Sequence, residues 1–433
     1  MSEFNQEGDS TPSVDSLSQA QIGGDDLLSP SLYAKRGHPL AAWKVLRRED
    51  PVHYCEGASV DPFWAITKHA DIIEISKNPT KFLNAPGVVI LGEEQKASRG
   101  EGIGELRTII EMDPPEHGKM RKVAAAWFTP RALGRLDEAI NLSARRIVDQ
   151  LAGDGDVAEC DFATDVAARH PLRILATILG VAREQEDTIL TLTNQLFASD
   201  DAELQRPGES RREALMEIGM ELFGLFSEII EDRRANPRDD LASVLANARV
   251  DGEELGVMET FGYYLIVFTA GHDTTKNALA GGMRALLDHP EQVDVLRRDP
   301  SLVETAVEEL VRWTTPVSYM RRTAAHDVEV RGKTIREGDQ MALFYCSANR
   351  DEEVFADGDV FRVDRDPNPH LGFGIGEHFC MGAHLARRSQ VALLRELLPR
   401  LEEAEITAEP EWIGSNFVVG LKHLPIRYRI AVG

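Results

Sequence analysis

Apolar positions recur at three- and four-residue spacing through the middle of the chain, the period of helices that bury one face. Residues 130–152 place Leu133, Leu136, Ile140 and Leu142 among charged residues, which predicts an amphipathic helix. Residues 210–236 predict a second, closing on Arg233, Arg234 and Asn236 as a helix C-terminus should. A long apolar helix is expected over about 252–288. Another is expected over about 381–398, with Val391, Leu394 and Leu398 on one face. Alternation of period two is confined to short pieces at 63–68, 328–332 and 340–348. The pattern predicts a mainly α body carrying small peripheral β-sheets. It does not alternate strand and helix as a doubly wound dinucleotide fold would.

The ends and the composition narrow the class. Residues 1–27 are biased toward Ser, Gln, Gly and Asp and are expected to form a disordered leader. Without a later linker or internal repeat, residues 28–433 are expected to form a single catalytic domain. The N-terminus has no basic stretch followed by an apolar one, so it does not read as a signal peptide. The longest apolar run, 261–271, is far short of the ~20 residues that span a bilayer. Cys55, Cys160, Cys346 and Cys380 are too dispersed for a disulfide framework. A cytoplasmic, soluble protein is expected. Lys and Arg number 48 against 72 Asp and Glu, a net charge of −24 that disfavours nucleic acid and anionic membranes as partners. Nothing marks a dedicated self-interface, so a monomer is expected.

Candidate chemistry concentrates in "HLGFGIGEHFCMGAHLARR", residues 370–388. Gly372, Gly374, Gly376 and Gly382 miss the G-x-G-x-x-G spacing of a dinucleotide loop. His378, Cys380 and His384 are zinc-ligand types, but no second cysteine is near to complete a set. A lone cysteine before a helix is commonly a buried core residue. The combination says more. Glycines let backbone approach a flat object closely, and the first N–H groups of the following helix favour a thiolate at Cys380. A thiolate on rigid backbone suits the axial position of a haem iron.

Phe373-x-x-Gly376-x-x-x-Cys380-x-Gly382 resembles the haem-binding loop of the cytochrome P450 monooxygenases. Three further segments resemble that family in the same order. "TAGHDTT" (269–275) sets Gly, Asp and Thr in mid-helix, against local propensity. The resemblance implies that Asp273 and Thr274 are a catalytic pair relaying protons to dioxygen, with Ala270 and Gly271 beside the haem. "EELVRW" holds Glu309 and Arg312, on a helix expected to open with a capping box from Ser301 to Glu304. With Arg365, the resemblance makes them a structural trio. "MDPPEHGKMRK" starts a helix at its prolines. There the resemblance implies that His117 and Arg121 bind the haem propionates, together with Arg322 and His370.

The resemblance thus implies a cytochrome P450 fold, haem b (iron protoporphyrin IX) held by Cys380, and hydroxylation with O2. Electrons would come from an iron-sulfur ferredoxin with its NAD(P)H-dependent reductase. Lys119, Lys122, Arg387 and Arg388 are candidates for a basic docking patch, or ordinary solvated charges. The implied pocket includes Tyr263, Val267, Ala270, Val317, Phe417 and Val418. These side chains are mostly aliphatic, which suits an apolar small molecule: a terpenoid, a steroid, or an alkyl or aromatic hydrocarbon. A fatty acid or polyketide is the alternative substrate. A peroxide-driven peroxygenase and a non-catalytic haem-based gas or redox sensor are the rival functions, and the Asp273–Thr274 pair disfavours both.

Overall fold

The computed structural model describes residues 18–92, 106–197, 201, 203–206 and 208–432. Its principal helices are α1 (Glu116–Ala125), α2 (Asp137–Ala152), α3 (Arg169–Leu179), α4 (Glu186–Phe197), α5 (Arg211–Ala235), α6 (Val257–Asp288), α7 (Val303–Thr314) and α8 (Ala383–Leu397). Helix α6 runs through the interior, and most of its side chains are buried between α3, α7 and the strands near the C-terminus. The largest apolar cluster forms around it, joining Leu172 and Leu175 of α3 to Phe226 of α5 and Tyr264 and Phe268 of α6. No helix among the described residues is long and apolar enough to cross a membrane.

The strands that matter here are β1 (Val52–Cys55), β2 (Phe63–Ile66), β3 (Phe82–Leu83), β4 (Ala158–Asp161), β5 (Tyr319–Ala324), β6 (Gln340–Phe344), β7 (Leu401–Ile406), β8 (Leu421–His423) and β9 (Pro425–Ile430). One sheet has the order β1-β2-β6-β5-β3, antiparallel except where β6 runs parallel to β2. A second has the order β7-β9-β4. Both lie at the periphery of the helical body.

Several expected boundaries move, each for a local reason. Residues 18–27 are packed, with Ile22 and Leu27 buried and Asp25 accepting the N–H groups of Ala58 (2.7 Å) and Ser59 (3.1 Å); residues 1–17 lie outside the described residues. The 130–152 helix divides at Gly134, a poor helix former, into Pro130–Leu133, a 3-10 turn, and α2. Leu142 then points outward, 43% exposed. Helix α6 begins at Val257 because residues 249–254 form a hairpin on Asp251 (φ 55°) and Gly252 (φ 91°). That Asp-Gly pair is the dipeptide which favours tight hairpin turns.

The 340–348 strand stops at Phe344 and passes into a helical turn, Tyr345–Ala348. The strand at 63–68 stops at Ile66, and that at 328–332 turns at Arg331 and Gly332. The capping box expected at Ser301 is absent. Asp299 accepts the Ser301 N–H (3.1 Å) and caps a 3-10 turn ahead of α7, while Glu304 pairs with Arg395 (2.9 Å). By contrast, Ser210 and Glu213 form a reciprocal cap on α5, which closes beside Asn236 as expected.

Glu309, Arg312 and Arg365 meet beneath the cysteine loop. Arg312 grips both oxygens of Glu309 at 2.7 Å, and Arg365 donates to one of them at 3.0 Å. Arg312 Nη1 reaches the carbonyls of Asn349 and Gly358 (2.8 Å each), and Nη2, besides Glu309, reaches that of Val360 (3.2 Å). The Arg362 N–H and the Asn368 amide also donate to Glu309. Glu309 and Arg312 are fully buried, so removing the carboxylate leaves the Arg312 guanidinium without its counter-charge, while Arg365 keeps Asp357 (2.6 Å). Glu309→Ala should lower stability by about 3–5 kcal/mol, read as a shift in the urea midpoint.

Candidate functional site

The cysteine loop gets its shape from its backbone. Gly374 and Gly376 take φ of 66° and 77°, a region other residues avoid. A Cβ on Gly376 would sit 2.4 Å from the Ser76 carbonyl oxygen, and one on Gly372 would sit 2.7 Å from Val311. The Cys380 N–H donates to the Phe373 carbonyl (2.9 Å), closing the loop under the sulfur. Cys380 is enclosed by protein, and its exposed surface belongs to an internal cavity. The other three cysteines do not line that cavity.

Helix α6 forms the facing wall through Val267, Ala270, Gly271, Thr274 and Thr275. The Thr274 hydroxyl donates to the Ala270 carbonyl (2.7 Å), and Thr269 does the same to Leu265 (2.7 Å). A Cβ on Gly271 would come within 3.0 Å of Leu175, so the absent side chain lets α3 close on the wall. Asp273 is not on the wall. It is buried on the far side of α6, its Oδ1 3.3 Å from His272 Nδ1 and its Oδ2 without a hydrogen-bond partner among the described residues.

Along one margin His117, Arg121, Arg322 and His378 converge. The rings of His117 and His378 stack at 3.9 Å, and Arg121 donates to the Phe379 carbonyl (2.6 Å). Burial lowers Arg322 and His117. Burial, then His117, Arg322 and Arg121, push His378 down to about 3. His378 Nε2 is buried with no hydrogen-bond partner among the described residues. Among the described residues no carboxylate lines the cavity beside these donors, and Asp113, whose charge reaches His117 and Arg322, is taken up by the N–H groups of Asn84 (2.8 Å) and Ala85 (3.0 Å); the margin fits a ligand that brings carboxylates, as haem does with its two propionates. At the sulfur, burial raises the thiol pKa, only partly offset by the N–H groups of Gly382 and Ala383 and by Arg121 and Arg387. The helix terminus alone therefore does not make the thiolate; a metal cation at the sulfur would. The donors and the glycine cradle both fit haem.

Some sequence expectations are not met. His370 does not line the cavity: its Nε2 donates to Glu308 (3.0 Å) and its Nδ1 accepts the Gly372 N–H (3.1 Å). His378 stands where His370 was expected, because the 3-10 turn Gly376–His378 aims it inward. Of the expected pocket residues, Val267, Ala270 and Val317 line the cavity. Tyr263 instead donates to the Met120 carbonyl (2.8 Å) where α1 covers that turn of α6. Phe417 packs on Tyr319, and Val418 bridges to Val317 behind the wall. Sequence reasoning missed Ile109, Phe128, Pro171, Ile174 and Leu175, which complete the apolar wall; helical periodicity marks them only as buried.

His384 lines a separate surface cleft, so the three zinc-type residues do not gather. The expected basic patch is largely neutralised. Lys119 pairs with Asp251 (2.5 Å), Arg387 with Glu308 (2.5 Å), and Arg388 with Asp137.

A buried cysteine facing an internal Thr-bearing helix, with a cation margin between, defines a haem-thiolate protein. The family model described as Cytochrome P450 matches residues 62–425. The chain is 39% identical to "Cytochrome P450-terp" of Pseudomonas sp., over 93% of this chain and 96% of that one. It is 36% identical to the methyl-branched lipid omega-hydroxylase of Mycobacterium tuberculosis, over 89% and 90%. The crystal structure of CYP108D1 from Novosphingobium aromaticivorans superposes with a TM-score of 0.86 at 36% identity, covering 94% of this chain and 98% of that one. This chain belongs to the cytochrome P450 family. It has the P450 fold, uses protohaem and is an oxygen-incorporating oxidoreductase.

Loss of Arg322 or His378 as Leu should speed haem transfer to apomyoglobin by about tenfold to a hundredfold, the worth of one charge-assisted hydrogen bond. His370→Leu should leave that rate close to wild type.

Proposed function

We propose that this P450 hydroxylates a neutral, branched apolar molecule, a terpenoid, a steroid side chain or an alkyl compound, with Cys380 as the iron ligand. The cavity wall carries the reading. Beyond the propionate margin it is mostly aliphatic, with Ile109, Ile174, Leu175, Ile266, Val317 and Met320 and no further cation among the described residues. Among the described residues, the cationic and imidazole groups a fatty carboxylate would find on the lining are Arg121, Arg322, His117 and His378, groups already matched to the haem. The omega-hydroxylase relative, named for methyl-branched lipids, supports a branched chain.

Protohaem, which Cys380, His117, Arg121, Arg322 and His378 would hold, would supply the oxygen-activating chemistry needed to hydroxylate a C–H bond with O2. The protein's work is binding, exclusion of water and handling of protons. The aliphatic wall holds the substrate and keeps the reacting centre dry. Thr274 keeps its hydroxyl on the wall, anchored through the Ala270 carbonyl, with lone pairs left to accept a second hydrogen bond. Asp273, adjacent but behind the helix, holds a carboxylate oxygen without a partner and is the acid from which Thr274 is resupplied. Two electrons per cycle come from an iron-sulfur ferredoxin served by an NAD(P)H-dependent reductase.

The carbon monoxide difference spectrum of the reduced protein should show a strongly red-shifted Soret band that Cys380→Ala abolishes. Thr274→Ala should keep consuming NAD(P)H while product falls by about one to two orders of magnitude, the electrons leaving as peroxide. Spin-state titrations should respond to neutral branched hydrocarbons. A response confined to carboxylic acids would reverse the substrate assignment.

A further inference from the structure

His370 and Arg387, expected at the propionates and on a docking patch, both end on one carboxylate that none of the steps above uses. Glu308 lies on α7 next to Glu309 and lines the surface cleft beside α8. Arg387 Nε donates to its Oε1 (2.5 Å) and Nη2 to its Oε2 (2.7 Å). That two-pronged grip fixes the plane of the guanidinium. His370 Nδ1 accepts the Gly372 N–H, so the ring proton sits on Nε2, which donates to Glu308 Oε2 (3.0 Å). Glu308 thereby ties α7 to the residue that opens the cysteine loop and to the helix that follows the cysteine.

The guanidinium held in this way lies on an aromatic ring. Arg387 Cζ is 4.3 Å from the ring centroid of Phe373, well within cation–π range. Phe373 lines the cavity, and its carbonyl accepts the Cys380 N–H (2.9 Å). Burial raises the Cys380 thiol; the Gly382 N–H, Arg121 and Arg387 oppose it, so the Arg387 charge reaches the sulfur. Burial would also raise the Glu308 carboxyl, but the hydrogen bonds from Arg387 and His370 hold it down to about 2. Glu308 is therefore a carboxylate at neutral pH, and its grip on Arg387 is a full ion pair.

We propose that Glu308 is a positioning residue that seats the Arg387 guanidinium on Phe373, and that this fixed cation, felt at the Cys380 sulfur, raises the reduction potential of the haem iron. One electron enters at the iron from the ferredoxin. No bond forms or breaks at the pair, and neither Glu308 nor Arg387 gains or loses a proton. The entering electron adds negative charge beside a thiolate, and a cation fixed against the ring favours that state over the oxidised one. A guanidinium free to turn into the surface cleft would be hydrated and screened, and would do so far less. Position then matters as much as charge, and Glu308 supplies the position.

This role rests on the haem-thiolate reading of the cavity. The measurement is the ferric/ferrous midpoint potential of the substrate-free holoenzyme, with the carbon monoxide difference spectrum of each variant recorded beside it. Arg387→Met should lower the reduction equilibrium constant by about threefold to tenfold, where tenfold is about 59 mV for a one-electron couple. In a Glu308→Ala background the same substitution should have less than about half that effect, because the guanidinium has already left the ring. Arg387→Lys, which keeps the charge without the planar fork, should fall between Arg387→Met and wild type.

An unchanged or higher potential in Arg387→Met overturns the proposal. An equal shift in both backgrounds overturns it too, since Glu308 would then position nothing. If the alanine background does not fold with haem, Glu308→Gln keeps the shape with a single acceptor oxygen, and the same loss of coupling is expected there. A wild-type protein without the red-shifted Soret band would sink the haem-thiolate reading itself. A band kept in every variant, with potentials unmoved, would sink only the role of Glu308 and Arg387.

Discussion

The thiol side of the cavity depends on a carboxylate with no access to water. Glu309 is held by Arg312, Arg365, the Asn368 amide and a backbone N–H, and Arg312 extends the knot to three carbonyls of the segment leading into the cysteine loop. Such a group is worth little as a net attraction, since both charges give up hydration. Its value lies in specificity, because any other arrangement of α7 and residues 349–368 would strand a buried charge. The glycine turns can then place the sulfur without contributing stability of their own.

Around that anchor the molecule separates its charges. The chain as a whole is strongly acidic, with a net charge of −24, yet the groups converging on the cavity margin are His117, Arg121, Arg322 and His378. The opposite wall is apolar except where the Thr hydroxyls of α6 face inward. A dianionic, flat, otherwise apolar ligand matches both halves at once. That explains how one cavity serves a charged cofactor and an uncharged substrate.

Much of this was legible in the sequence, because the constraints at these positions are local. Gly376 cannot carry a Cβ, Thr274 breaks helix propensity, and Glu309 and Arg312 sit one turn apart, so each leaves a mark on the string. What escaped was set by packing between distant segments. The loop contains His370 and His378, and only the 3-10 turn decides which of them faces inward. Tyr263 has the right helical phase for the pocket but is claimed by α1. Phe417 and Val418 fall one layer behind the wall, a displacement that no periodicity encodes. The Asp251–Gly252 hairpin was readable from its dipeptide and was absorbed into the helix that follows it.

The convergence of nitrogen donors at the cavity margin bears on the life of the polypeptide as well as on its chemistry. Without the propionates, the guanidinium groups of Arg121 and Arg322 stand beside His117 and His378 on a cavity lined by no carboxylate among the described residues, so haem completes this part of the fold. Ligand that binds only the native state adds its full binding free energy to stability. The steady amount of this protein in a cell should then follow haem supply, with apoprotein made in excess lost to proteolysis. The donor knot makes the cofactor a subunit of the fold, and iron status a control on how much enzyme exists.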